Sequence, residues 1–200
     1  MSKERLNAFS DGVIAIIITI MVLELKVPHG ADWAALGKLV PVFSSYVLSF
    51  VYVAIYWNNH HHMMHACERV DGPILWANMH LLFWLSLIPF ATGWMGENHF
   101  APLPTALYGV SLLMPALAYY VLQKAIVRLH GNGGILAQAI GDNFKAKLSP
   151  ALYVAATALA FLSPWISCAI YAAVAAMWVI PYRRIETLVA RSDETHDKNA

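Results

Sequence analysis

Two short stretches carry side chains whose types and spacing could do chemistry. The first, "RLNAFSD" over residues 5–11, sets a fixed cation, an amide, a hydroxyl and a carboxylate at the mouth of an isoleucine-rich run that continues to Leu23. An ionisable group at the edge of a membrane is costly to hold there, so by default it has a partner and a role. The second, "WNNHHHMMHACE" over residues 57–68, places His61 and His65 four apart on one helical face, with Glu68 one turn further. That is the spacing of two metal ligands, and it would suit a zinc site in a membrane-embedded metalloenzyme or metal transporter. Against it, the order His-Glu-x-x-His is absent and no second His/Asp/Glu cluster stands out. Histidine at the interfacial end of a span more often anchors or donates a hydrogen bond. The expectation is therefore no bound metal, no cofactor and no catalytic residue. Part of the run can instead serve a network around Asp11 and make it respond to pH.

The elements that must position these residues are membrane helices. The chain has 200 residues, 59% hydrophobic and only 12% charged, against about a quarter charged in a soluble domain. Net charge of +1 leaves no basic patch able to neutralise several phosphates, which argues against a nucleic-acid partner. A helix needs about 20 residues to cross about 30 Å of hydrocarbon. Six spans are predicted, over about 8–27, 39–59, 74–95, 105–127, 148–162 and 165–182, in an all-α polytopic domain covering 1–184. The last two are one long apolar stretch divided at "FLSPWIS", where Ser163 and Pro164 mark a tight turn and a helix start. Pro89 and Pro115 suggest kinks, and the two halves show no repeat. The polar tail over 185–200 reads as disordered, and no cleavable signal peptide precedes the first span.

Six spans put both termini on one side. Calling that side cytoplasmic places Lys3, Arg5, Arg69, Lys124, Arg128, Lys145, Lys147, Arg183, Arg184, Arg191 and Lys198 inside, and only Lys26 and Lys38 outside. This is a strong positive-inside asymmetry for a protein of the cell membrane. Cys67 falls in an inner loop and Cys168 near an outer end, so they are read as unpaired packing residues. Trp33, Trp57, Trp76, Trp94 and Trp165 lie near span ends and suit aromatic belts.

With about 100° per residue, Phe9, Ile16, Ile20, Leu23 and Val27 share one face of the first helix, with Gly12 and Thr19 at its edge. Asp11 points about 140° away from Ile16, toward the other helices of its own subunit. Its candidate partners are His60, His61, Asn78 and His80, with Arg5 nearby in sequence. The plainer reading is that Ser10 and Asp11 cap a helix beginning near Gly12. Periodicity alone leaves both open.

"RLNAFSD" has the form Arg-x-x-x-Phe-Ser-Asp and opens the first of six spans, "YWNNHH" ends the second, and "NMHLLFWLSLIPF" lies in the third. In these features the chain resembles the prokaryotic members of the transmembrane protein 175 family, potassium channels related to the lysosomal one. The resemblance implies a cation channel without the carbonyl filter of ordinary potassium channels, and no TVGYG-like segment is present. It implies a homotetramer in which four first helices line the pore. The narrowest ring, five residues after the motif Asp, would be Ile16, with Ile20 and Leu23 outward of it and Thr19 beside it. Arg5, Phe9, Ser10 and Asp11 would form the structural network behind the pore helix, joined by His60, His61, Asn78 and His80.

The expected function is passive potassium conduction through an apolar constriction in the lipid bilayer, with potassium and other monovalent cations as the permeant species. A proton- or cation-coupled secondary transporter using Asp11 and the histidines is the alternative. It calls for coupled, saturable flux and usually for repeated halves with broken helices. A membrane metal enzyme is the third reading.

Overall fold

The computed structural model describes residues 2–131 and 144–179, and every regular element among them is α-helical. Helix α1 spans Lys3–Leu23, a short α2 spans Trp33–Gly37, and α3 spans Val40–His65. Then follow α4 over Gly72–Ser86, α5 over Ile88–Glu97 and α6 over Pro102–His130. The last two described helices are α7, Phe144–Leu159, and α8, Pro164–Val179.

Local chemistry explains the boundaries. Ser2, in extended conformation, accepts from the Arg5 amide at 3.4 Å and starts α1 at Lys3. The helix therefore runs straight through Ser10 and Asp11, and the reading of those two as a cap near Gly12 is overturned. It ends at Leu23, so Val27 lies beyond it. Asp71 caps α4 through the Ile74 amide at 3.0 Å. Pro89 lacks the N–H that would bond back one turn, and the third apolar segment breaks at Leu87 into α4 and α5. Pro115 sits inside a continuous α6. Ser163 and Pro164 form the expected boundary between the last two helices.

Four segments are long and apolar enough to cross a membrane: Lys3–Leu23, Val40–His65, Gly72–Glu97 and Pro102–His130. The expected bounds were short by several residues at the ends marked by polar side chains, notably on α3, which continues through the histidines to His65. Helices α7 and α8 have 16 residues each, about 24 Å at 1.5 Å per residue. The stretch 180–182 of the sixth expected span and the tail from 185 lie outside the described residues.

The helices pack around two apolar clusters. One gathers Leu6, Ile14, Ile17 and Met21 of α1 with Val53, Met63 and Met64 of α3, Leu81, Leu82 and Leu85 of α4, and Leu122 and Ile126 of α6. The other joins Tyr52, Ala91, Met95, Tyr108 and Leu112 to Tyr153 and Ala156 of α7 and Tyr171 and Val174 of α8. Lipid is as apolar as leucine, so burial alone cannot hold such helices together; close approach and hydrogen bonds must. Both are present. Ser49 Oγ lies 2.9 Å from the Tyr108 hydroxyl and 2.7 Å from Thr92 Oγ1, tying α3, α5 and α6. Gly96 lets α5 meet α3 backbone to backbone: a Cβ there would stand 2.8 Å from Val42 Cα and 2.5 Å from Ser45 Oγ.

That contact predicts a sharp contrast between two glycines. Gly96→Ala forces α3 and α5 apart and should cost about 1–3 kcal/mol. A Cβ on Gly12 meets nothing within 4 Å, so Gly12→Ala should leave the folding of the subunit unharmed. Thermal unfolding in detergent micelles reads both; equal midpoints for the two variants would remove the close-approach argument.

Candidate functional site

Helix α1 has two unlike sides. Leu6, Ser10, Ile14, Ile17 and Met21 recur every three or four residues and are buried against α3, α4 and α5. Phe9, Ile16, Ile20 and Leu23 recur on the other side, which no element among the described residues covers. Beside this bare stripe runs a groove of about 550 Å³, bounded by Ile16, Ile20 and Glu24 of α1 and by Phe90, Trp94 and Glu97 of α5. Thr19 sits at the stripe's edge, its hydroxyl donating to the Ile16 carbonyl at 2.9 Å.

The buried side is held by a directed chain of hydrogen bonds. Ser10 Oγ donates to the Leu6 carbonyl at 2.8 Å and accepts from Asn78 Nδ2 at 2.9 Å. Asn78 Oδ1 lies 2.8 Å from His60 Nε2. An amide oxygen can only accept, so His60 carries its proton on Nε2 and gives it to Asn78. In this arrangement the Asn78 amide nitrogen is the donor to Ser10, whose own proton goes to Leu6. All three side chains are buried, and the chain links α1, α4 and α3 with every donor pointing the same way.

Asp11 is not in that chain. Its Oδ1 accepts from Trp57 Nε1 at 3.0 Å, so it does meet α3 of its own subunit, yet it stays exposed at the rim. Sequence reasoning placed Trp57 in an aromatic belt and missed it as a partner; the signal available was its position one turn before His61 on α3. Arg5 and Phe9 are exposed, and the Arg5 side chain makes no hydrogen bond or ion pair among the described residues. Phe9 shares the open side with Ile16. His80 is exposed and accepts from Trp84 Nε1 at 2.8 Å, apart from the chain. His61 is exposed too, its ring 6.1 Å from Trp57 and 6.5 Å from His65.

The histidine run is not gathered around a point. Helix α3 ends at His65, so Glu68 does not lie one helical turn further on; it falls in the turn to α4, with its amide bound to His130. Among the described residues no three His, Cys, Asp or Glu side chains are placed to hold a metal. Cys67 is buried in the same turn, and burial pushes its thiol pKa up. Cys168 is likewise a free thiol, half-buried on α8.

With only helices among the described residues and four apolar segments of membrane length, one of them bare along an apolar face, this is a multi-pass membrane protein. The family model described as the endosomal/lysosomal potassium channel TMEM175 matches residues 5–89. A protein of Chryseobacterium sp. named a potassium channel is 54% identical over 186 residues, 93% of this chain and 97% of that one. The crystal structure of a lysosomal potassium-selective channel TMEM175 homolog from Chamaesiphon minutus superposes with a TM-score of 0.78 at 30% identity, covering 89% of this chain and 96% of that one. A Bos taurus protein named an endosomal/lysosomal proton channel is 35% identical over 103 residues, 46% of this chain and 22% of its own length. The chain belongs to the TMEM175 family.

The buried chain carries its own prediction. Asn78→Ala strands the Nε2 proton of His60 and removes the donor to Ser10, and an unmet buried polar group costs about 1–3 kcal/mol. Asp11→Asn, at the exposed rim, should cost under about 1 kcal/mol of subunit stability. Apparent unfolding midpoints of the two variants in micelles test the order, and a larger loss at Asp11 than at Asn78 would reverse it.

Proposed function

We propose that the chain is a potassium-selective channel of the cell membrane, conducting passively through a pore lined by α1 from each of four copies. The observation that carries this reading is the bare stripe: Ile16, Ile20 and Leu23 are 57%, 43% and 77% exposed, whereas Ile14, Ile17 and Met21 are at most 3% exposed. One helix cannot enclose a path, so the reading requires several copies; the number four comes from the family resemblance. The potassium channel named in Chryseobacterium and the potassium-selective homolog of Chamaesiphon minutus support the choice of ion. On this reading α7 and α8 complete six crossings as a short hairpin. The Lys and Arg asymmetry then puts both termini in the cytoplasm.

The physics is that of a ring of side chains that cannot coordinate. Four Ile16 side chains limit diameter and expel water when close together. A cation passing them sheds part of its hydration shell, which costs potassium less than sodium. Thr19 has its hydroxyl proton committed to the Ile16 carbonyl, so the oxygen's two lone pairs are what a partly stripped cation would meet. The ions are cargo here, and the mechanism uses no resident cofactor. The Ser10–Asn78–His60 chain acts behind α1, as an anchor that sets its rotation. Asp11 and Trp57, at the rim, lie where a neighbouring subunit would approach.

Flux into proteoliposomes under potassium and sodium gradients tests the pore. Ile16→Asn supplies an amide that holds water, so potassium flux should rise and discrimination against sodium fall. Thr19→Val, nearly isosteric, should lower discrimination and leave assembly unchanged. Ile17 is buried in its own subunit, so Ile17→Asn should destabilise the fold and not open the path. Equal effects at 16 and 17, or none at either, would mean that the stripe faces lipid and the path lies elsewhere. Saturable flux coupled to a second ion would favour a transporter instead.

Assembly gives an independent check. Asp11→Ala should reduce tetramer recovery on size exclusion. Normal assembly with normal flux would confine Asp11 to its local bond with Trp57.

A further inference from the structure

At the end of the bundle where α1 begins, the turn between α3 and α4 is held by the ring of His130 at the last residue of α6. His130 Nε2 lies 3.1 Å from the Glu68 amide nitrogen and 3.2 Å from that of Arg69. Its Nδ1 lies 2.9 Å from the Ile126 carbonyl oxygen. A backbone N–H can only donate and a carbonyl can only accept, so the tautomer is fixed. Nδ1 carries the proton and gives it to Ile126; Nε2 is a bare lone pair that receives two amides. The two amides have no other partner among the described residues.

We propose that His130 is a pH-operated staple: the neutral ring binds the 66–71 turn to α6, and protonation of Nε2 releases it. A second ring proton would sit on Nε2 against two N–H groups, converting two hydrogen bonds into two donor–donor contacts. The packed elements bring several other charged or titratable groups to this end. Helix α1 contributes Lys3 and Glu4; α3 contributes His62 and His65; the turn contributes Cys67, Glu68, Arg69 and Asp71; α6 itself contributes Lys124 and Arg128. None of these carboxylates is within ion-pair distance of the ring, since Lys26 with Glu97 is the one ion pair among the described residues. Among the described residues no counter-charge stands within ion-pair distance to hold the imidazolium in place. Two of the neighbours are already engaged: Lys3 Nζ donates to the His65 carbonyl at 3.0 Å, and the Asp71 carboxylate caps α4.

The staple lies on the covalent connection between the helices that carry His60 and Asn78. Releasing it loosens the pair that anchors α1 through Ser10. Its existence does not depend on which path ions take, and its test needs no flux measurement.

Amide hydrogen exchange on the full-length protein in lipid nanodiscs, read on peptides spanning 66–71 and corrected for intrinsic rates, tests the proposal between about pH 8 and pH 5. In the wild type, protection should fall by about tenfold or more across that interval, as expected for the loss of two hydrogen bonds. His130→Gln keeps a carbonyl acceptor of similar reach and cannot titrate, so its protection should stay level. His130→Ala should lack protection at every pH. Level protection in the wild type, or a Gln variant that follows the wild type, would overturn the staple. A second measurement at about pH 8 uses the Cys168→Ser background, where maleimide labelling reports on buried Cys67 in the same turn. His130→Ala should speed labelling several-fold over His130; unchanged labelling would equally refute the proposal.

Discussion

The fold turns on one constraint: a polar group inside a membrane protein must be answered by another, in the right direction. Ser10, Asn78 and His60 meet that demand with three side chains whose donors run in one direction. Because lipid gives no hydrophobic reason for α1 to prefer the bundle over its surroundings, this chain of bonds and the fit of Ile14, Ile17 and Met21 decide which side of α1 faces inward. The opposite side is left bare as a consequence. Rotating α1 by one residue would bury Asp11 and expose Ser10, leaving an unpaired carboxylate inside and two unmatched partners.

The rest of the bundle serves as a frame for that anchor. The break at Leu87 lets α5 leave the line of α4 and come against α3, where Gly96 permits backbone contact and Thr92 reaches Ser49. The same residues extend the polar tie to Tyr108 on α6. Tyr171 continues it by donating to the Thr105 carbonyl at 3.2 Å, while Tyr52 donates to the Tyr171 carbonyl at 2.7 Å. These hydroxyls tie α3, α5, α6 and α8 together, while α4 packs on α6 and α1 packs on α3 and α4.

The end of the molecule rich in histidine shows how residue type and residue role separate. His60 is a buried donor, His80 an exposed acceptor, and His130 an acceptor for two backbone amides. His61 and His65 have the spacing of metal ligands, but the helix stops before a third ligand can join them. The first role ties α3 to α4 and, through Ser10, to α1, and the third lies on the connection between α3 and α4.

The sequence by itself determined that the chain is helical and membrane-spanning, because length and hydropathy of a span depend only on local composition. It also determined the two-sidedness of α1, since a 3.6-residue period puts Ile16, Ile20 and Leu23 on one side whatever they touch. Local turn chemistry located the boundary at Ser163 and Pro164. Which polar side chains would meet was decided only by the tertiary structure. Asp11 looked like the centre of the network because it is charged, yet Ser10 took that place. The helix starts at Lys3, capped by Ser2, rather than near Gly12, and its rotation turns the hydroxyl, not the carboxylate, toward Asn78. Trp57 became the partner of Asp11, and His130, 62 residues from Glu68, became a support for the α3–α4 turn. Partners this distant in sequence are set by crossing angles and rotations of whole helices, and no local pattern of residues encodes those.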